Sequence, residues 1–136
     1  MLGRARPVLA RQGVADRCVL YPGDLFAPPP PAEVYLLASV LHDWDDAHAA
    51  RILAALGRSA TPDTRLRIFE MLLPTDATPH RAKLSDVLML LLFDGARERT
   101  VGQYRELLED TGWRLEQVVP SPGPMSVIEA RRSATS

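Results

Sequence analysis

The sequence predicts an α/β protein, a sheet with crossover helices that is closed by a C-terminal antiparallel hairpin. Three observations carry this reading. Val34 to Leu41 is an apolar run of strand length with Ser39 as its one polar member, the pattern of a strand buried on both faces. Segments with apolar residues three and four apart alternate with this run and with a second strand-like segment, Arg65 to Met71. Two strand-like segments near the end are separated only by Ser121-Pro122-Gly123-Pro124, a turn-rich linker of hairpin length.

Taken in order, Leu2, Ala5, Leu9 and Ala10 have helical spacing, but Pro7 among them predicts a helix that is short or starts near Arg6. Arg17 to Tyr21 reads as a strand closed by the turn Pro22-Gly23-Asp24, with Cys18 a buried strand thiol. Pro28 to Pro31 can only be an extended linker to the Val34 to Leu41 strand. Asp43 or Asp45 can then cap a helix from Asp46 to Arg58, with Ile52, Leu53 and Leu56 inward. The Arg65 strand follows and is closed by Pro74. After a polar loop, Ala82 to Phe93 is a strongly apolar helix whose buried face would hold Leu84, Leu88 and Leu92, stopped by Asp94-Gly95. Thr100 caps a last helix that buries Val101, Tyr104, Leu107 and Leu108 and ends at Gly112. Arg114 to Pro120 and Met125 to Ala130 form the hairpin, and residues 132–136 are expected to be a disordered tail behind one domain over 1–131.

Composition narrows the function. The 136 residues are 46% hydrophobic and 24% charged, enough for one globular core. Sixteen basic residues against 17 acidic ones, net charge -1, give no footprint for a nucleic-acid backbone. One cysteine excludes an internal disulfide and fits a reducing compartment. The longest apolar run, Val87 to Phe93, is far too short to span a bilayer, so a cytoplasmic protein with a small-molecule or protein partner is expected.

His42 is the residue that suggests chemistry. It sits where an apolar strand gives way to a helix, and the carboxyl ends of such strands are where α/β sheets bind ligands. An imidazole there is a candidate base, since its ordinary pKa lies near working pH. The alternatives are a structural histidine near the helix cap, or a divalent-metal ligand together with Asp43, Asp45, Asp46 and His48. Helix capping uses those aspartates better, so no metal is expected.

The order Gly23-Asp24-Leu25-Phe26, Val40-Leu41-His42-Asp43-Trp44-Asp45-Asp46, Glu70 before Leu73-Pro74, Asp86-Val87-Leu88-Met89-Leu90 and Glu98-Arg99-Thr100 resembles the catalytic domain of S-adenosylmethionine-dependent O-methyltransferases of the caffeate and hydroxyindole type, including bacterial polyketide-tailoring relatives. The resemblance runs from about Leu2 to about Ala130. It implies a Rossmann-like sheet whose N-terminal strands are missing here, S-adenosyl-L-methionine as cofactor and an aromatic small molecule as methyl acceptor. By position, His42 matches the general base and Glu70 and Glu98 the acids flanking it. Asp24 and Leu25 match adenine contacts, and Trp44 an indole packed on the adenine. Asp86 and Met89 fall on the acceptor side, where the family has a methionine that clamps an aromatic ring.

The chain also departs from the pattern. The family's glycine-rich loop and its ribose-binding acid have no counterpart, the N-terminal helical domain is absent, and Ala38 stands where many relatives carry a basic residue. The Arg17 to Tyr21 strand is therefore left without its family neighbour. Either it pairs with the Val34 strand or the sheet shows an apolar edge, through which self-association or pairing with a complementing subunit is expected. The alternative to an enzyme is a non-catalytic fragment or interaction module that cannot bind cofactor alone.

Overall fold

In the computed structural model, which describes residues 2–92 and 94–133, four strands form one sheet in the order β1-β2-β4-β3. β1 (Val34–Ala38) lies parallel to β2 (Arg65–Glu70), and α2 (Asp46–Ser59) is the crossover between them. β2 is antiparallel to β4 (Ser126–Arg132), which forms the terminal hairpin with β3 (Trp113–Pro120). The core lies on one face of the sheet. Ile52, Leu53 and Leu56 of α2 and Tyr104, Leu107 and Leu108 of α4 (Val101–Asp110) pack there against Leu66, Ile68, Trp113 and Ile128. Trp113 also donates its indole N–H to the Leu53 carbonyl at 3.1 Å, which ties β3 to α2.

The helix caps follow the sequence closely. Asp45 caps α2 by accepting the His48 N–H at 2.8 Å. Thr100 and Gln103 make a reciprocal capping box at the start of α4, each side chain accepting the other residue's backbone N–H. Gly112, at φ +76°, takes the left-handed conformation that turns α4 into β3.

Several expectations are overturned. The segment from Arg17 to Tyr21 is not a strand: a 3-10 turn covers Ala15–Arg17, and no sheet pairing follows before Val34. A lone strand has nothing to satisfy its backbone, and the neighbour that it would need is not among the described residues. Cys18 is correspondingly exposed rather than a buried thiol. β1 is covered on one face only: Tyr35 and Leu37 are buried, whereas Val34 and Leu36 are exposed. The ladder bonds at its ends, Arg65 N–H to Glu33 and Ser39 N–H to Phe69, use odd-numbered residues of this segment. The N–H and C=O groups of Val34, Leu36 and Ala38 therefore point to an open edge.

α3 (Arg81–Leu92) forms where expected, but its buried face is not the leucine stripe. Leu84, Leu88 and Leu92 are exposed along with Leu90 and Leu91, and Ala82 is the residue that α3 buries. A helix apolar around most of its circumference suits a position covered on several sides, and no described element packs over those leucines. α1 (Leu2–Arg11) runs through Pro7 instead of starting near Arg6. The ring removes one bond, to the Gly3 carbonyl one turn back, where water can serve the exposed backbone. β4 continues to Arg132, and the Ser133 N–H bonds the Gly112 carbonyl at 3.0 Å, so the ordered chain reaches beyond the expected boundary. The rest of the expected tail, 134–136, lies outside the described residues. None of the described helices is long and apolar enough to cross a membrane.

Candidate active site

The site forms where β1 and β2 end. Ser39, at φ +53°, takes a left-handed conformation immediately after β1 and turns the chain out of the sheet. For a residue with a Cβ this is a costly backbone state of the kind found at functional sites. The N–H groups of Val40 and Leu41 are thereby aimed at Glu70, the last residue of β2, whose Oε1 accepts them at 3.1 and 2.9 Å. A 3-10 turn, Leu41–Asp43, then presents His42.

His42 and Glu70 are in direct contact, Nδ1 to Oε2 at 2.6 Å. Glu70 is fully buried and the histidine side chain is 16% exposed. A carboxylate on Nδ1 assigns the proton to that nitrogen and leaves Nε2 as the accepting atom of the neutral ring. The hydrogen bond to Glu70 holds the His42 pKa above its ordinary 6.5; burial opposes this, and the negative charges of Glu70, Glu98 and Asp43 add to the rise. Asp43 lies 3.3 Å from Nε2, at the open side of the ring.

Glu98 completes the group. One ligating atom each from His42, Glu70 and Glu98 lie within 4.8 Å of one another. Glu98 is 2% exposed; its Oε1 accepts the Ser85 hydroxyl at 2.7 Å, and its buried Oε2 has no partner among the described residues. Burial pushes its carboxyl pKa up, against the lowering effects of the Ser85 bond and of His42. Both Glu70 oxygens are already engaged, so the three side chains form a hydrogen-bonding and electrostatic cluster around the imidazole.

The other residues singled out in the sequence fall into two places. Trp44 follows the His42 turn and packs edge-on to Phe26 at 5.1 Å between ring centroids and beside His48 at 5.6 Å. This brings the Gly23 to Phe26 segment next to the turn. Within it Asp24 accepts the Phe26 N–H at 2.9 Å, and Leu25 is exposed. A cleft of about 500 Å³ is lined by Asp43, Trp44, Asp45, His48, Asp94 and Gly95. On the α3 side, Asp86 accepts the Glu98 N–H at 2.9 Å, which fixes the backbone of the flanking acid, and Met89 is half-buried. Met71, Leu84, Ser85, Leu88 and Met125 line a second, mainly apolar cleft of about 270 Å³. Ser85 links it to Glu98.

The acidic run after His42 is divided among separate tasks. Asp45 caps α2 and bonds the His48 ring, while Asp46 pairs with Arg97 and Arg99. Arg99 is the residue that the sequence did not single out. It is fully buried, with Nε donating to Asp46 Oδ1 at 2.9 Å, Nη1 to the Leu41 carbonyl at 2.8 Å and Nη2 to the Trp44 carbonyl at 2.7 Å. Its sequence signal is its place in the Glu98-Arg99-Thr100 motif, which assigns it no role. The buried hydroxyl of Tyr104, whose pKa burial raises, stands near the same charges.

Comparison with known proteins gives one answer. The O-methyltransferase domain model matches residues 2–114. The mitomycin biosynthesis 6-O-methyltransferase of Streptomyces lavendulae is 40% identical over 131 residues, covering 95% of this chain and 37% of that protein. Among solved structures, LaPhzM superposes with a TM-score of 0.89 at 38% identity, over 96% of this chain and 39% of that one. CalO1, a methyltransferase in calicheamicin biosynthesis solved in its SAH-bound form, does so at 0.81 with 29% identity, over 88% and 36%. The chain thus spans well under half the length of the relatives that it matches. By the domain match over residues 2–114, and by 40% identity to a relative over 95% of its length, this chain belongs to the O-methyltransferase domain family.

Proposed function

We propose that the chain is the base-bearing portion of an S-adenosyl-L-methionine-dependent O-methyltransferase that methylates a hydroxyl of an aromatic small molecule, with His42 as general base. The observation that carries the reading is the 2.6 Å contact of His42 Nδ1 with Glu70. It orients the ring and favours the proton on Nδ1, so that Nε2, with Asp43 3.3 Å away on its open side, can take a proton from an acceptor hydroxyl.

The residues present fit one end of the cofactor. Trp44 lines the 500 Å³ cleft, and Asp24 and Leu25 lie on the segment whose Phe26 packs on the Trp44 ring. Residues for the methionine end are not found among those described. When bound, S-adenosyl-L-methionine supplies an electrophilic methyl on a cationic sulfur. The chain's own part is to deprotonate and to orient. As the acceptor oxygen becomes nucleophilic, its proton moves to His42 Nε2, and the imidazolium so formed is stabilised by Glu70 on the opposite nitrogen. Glu98 adds negative potential at the ring. The mainly apolar cleft beside Ser85, with Met71, Leu88 and Met125, suits an aromatic acceptor. The protein is taken to act in the cytoplasm on such a small molecule, without nucleic acid or membrane.

The open β1 edge and the exposed leucines of α3 favour a second reading, in which this chain is non-catalytic alone and binds cofactor only when joined by the rest of the fold, as a complementing subunit or a self-associated form. Calorimetric titration of the folded chain with S-adenosylhomocysteine separates the two. Micromolar binding supports a usable site in this chain, and its absence supports the second reading. Where turnover is measurable, His42→Ala is expected to abolish it while sparing cofactor binding; retained turnover would refute the base assignment.

A further inference from the structure

A buried guanidinium is costly unless every donor finds an acceptor, so the acceptors of Arg99 show what it is there to hold. Two are backbone carbonyls on either side of His42, those of Leu41 and Trp44, and the third is Asp46 at the start of α2. The carbonyl of His42 itself accepts the Arg97 N–H at 2.9 Å. Three carbonyls of the histidine turn are thus gripped by one extended segment, 97–99. That segment is anchored in turn to the chain after β2, where the Leu73 N–H bonds the Arg99 carbonyl at 2.9 Å. Glu98, between the two arginines, turns to the other side and faces the imidazole.

We propose that Arg99 is a positioning residue for His42: by holding the Leu41 and Trp44 carbonyls it fixes the turn, and with it the imidazole, at its distance from Glu70 and Glu98. A planar fork suits the arrangement, because the three acceptors are met by three separate nitrogens held at fixed spacing, whereas the donors of a lysine all sit on one nitrogen. Asp46 sets the depth of the fork from the helix side. Since Glu98 and Arg99 are consecutive, one short segment places both the acid beside the ring and the clamp on its backbone. The proposal rests on the reading of His42 as the base only for its catalytic meaning; the placement itself is read at the imidazole.

The test is imidazole nitrogen and proton NMR of the full 136-residue chain, with His42 assigned by its loss in His42→Asn. The groups facing the ring are Glu70, Glu98 and Asp43. The native chain is expected to show a low-field Nδ1 proton and a His42 titration above that of an ordinary histidine. In Arg99→Lys the low-field resonance should disappear and the titration shift downward while the circular dichroism of the fold is retained. Asp46→Asn, at a half-exposed position that should tolerate it, should shift the titration in the same direction by less. Leu56→Val, about 15 Å along α2 from Asp46, serves as a remote destabilising control and should leave His42 unchanged.

An unaltered His42 titration in folded Arg99→Lys overturns the proposal, as does an equal shift in Leu56→Val, which would make the effect one of general stability. If Arg99→Lys does not fold, Asp46→Asn decides, and an unchanged titration there overturns the proposal. Turnover retained in His42→Ala would remove the base reading and leave this result standing.

Discussion

Glu70 grips His42 from two directions, taking the ring nitrogen on one carboxylate oxygen and the backbone N–H groups of Val40 and Leu41 just before it on the other. Ring and backbone are thus referenced to the same carboxylate at the end of β2. The imidazole cannot swing without breaking a charge-assisted bond, and such bonds are about twice as strong as neutral ones.

This contact fixes a pH dependence. The folded-state pKa of His42 lies above its unfolded value, so protonation favours the folded state. That stabilisation is complete below pH 6.5, the ordinary value, and is lost as pH rises through the raised folded value. With His42 in its proposed role as base, turnover should run the opposite way, because a base must be neutral: it should climb with pH and reach half-maximum above 6.5. In Glu70→Gln the midpoint should move down and activity fall sharply. A pH–rate profile alongside thermal melts at each pH checks both signs.

Glu98 is expected to be stabilised by neutralisation. Its folded-state pKa is raised by burial, so the folded protein holds the proton more tightly than the unfolded chain, and stability falls as pH rises through the folded value. Glu98→Gln keeps an oxygen for the Ser85 hydroxyl and removes the buried charge. It should raise stability at neutral pH by on the order of 1 kcal/mol and change little at acid pH, in urea melts at the two conditions.

Thr100 begins α4 directly after Arg99, so its cap supports both a helix and the clamp. Thr100→Ala should cost about 1 kcal/mol, and Gln103→Ala less, since the threonine hydroxyl would still accept the Gln103-position N–H. Chemical denaturation of the two single variants and the double variant measures the coupling within the box.

At Gly112 a Cβ would collide with Arg132 Nη1, at a φ that disfavours any side chain. That guanidinium nitrogen donates to the Thr111 and Gly112 carbonyls. Gly112→Ala should therefore destabilise by more than 1 kcal/mol, through backbone strain and loss of the arginine's bonds. The thermal midpoint of the variant checks this.

Leu36 lies at the middle of the open edge and is 60% exposed. Self-association is expected to grow with concentration in sedimentation velocity, and Leu36→Lys should return the chain to monomer, because a charge at the centre of an edge strand blocks strand addition.

The parts of the fold fixed by local rules were legible in the sequence. Asp45 and Thr100 cap where short polar residues precede apolar periodicity, and Ser121-Pro122-Gly123-Pro124 joins two antiparallel strands. His42, Glu70 and Glu98 lie close together, although the sequence separates them by 28 residues at each step. What misled was environment. An apolar run does not say whether both faces will be covered, so β1 and α3 read as buried when this chain covers each only in part. Nor could Arg17 to Tyr21 be recognised as lacking a partner strand from its own residues. Arg99 was hidden for the opposite reason: a charged residue beside an acid looks solvated until the carbonyls that it serves are brought to it. Ser39 gave no sign of its left-handed backbone, which glycine or asparagine would have announced.

The alternation along β1 has a consequence for exchange with deuterated water. The amides of Tyr35, Leu37 and Ser39 face β2, whereas those of Val34, Leu36 and Ala38 face outward. A single strand should therefore label as two interleaved populations, its even-numbered amides within the dead time and its odd-numbered ones only with opening of the sheet. Whatever docks on that edge, a second copy or a further strand, would slow the even-numbered amides and merge the two populations into one, so the strand carries its own reporter of whether the sheet has been extended.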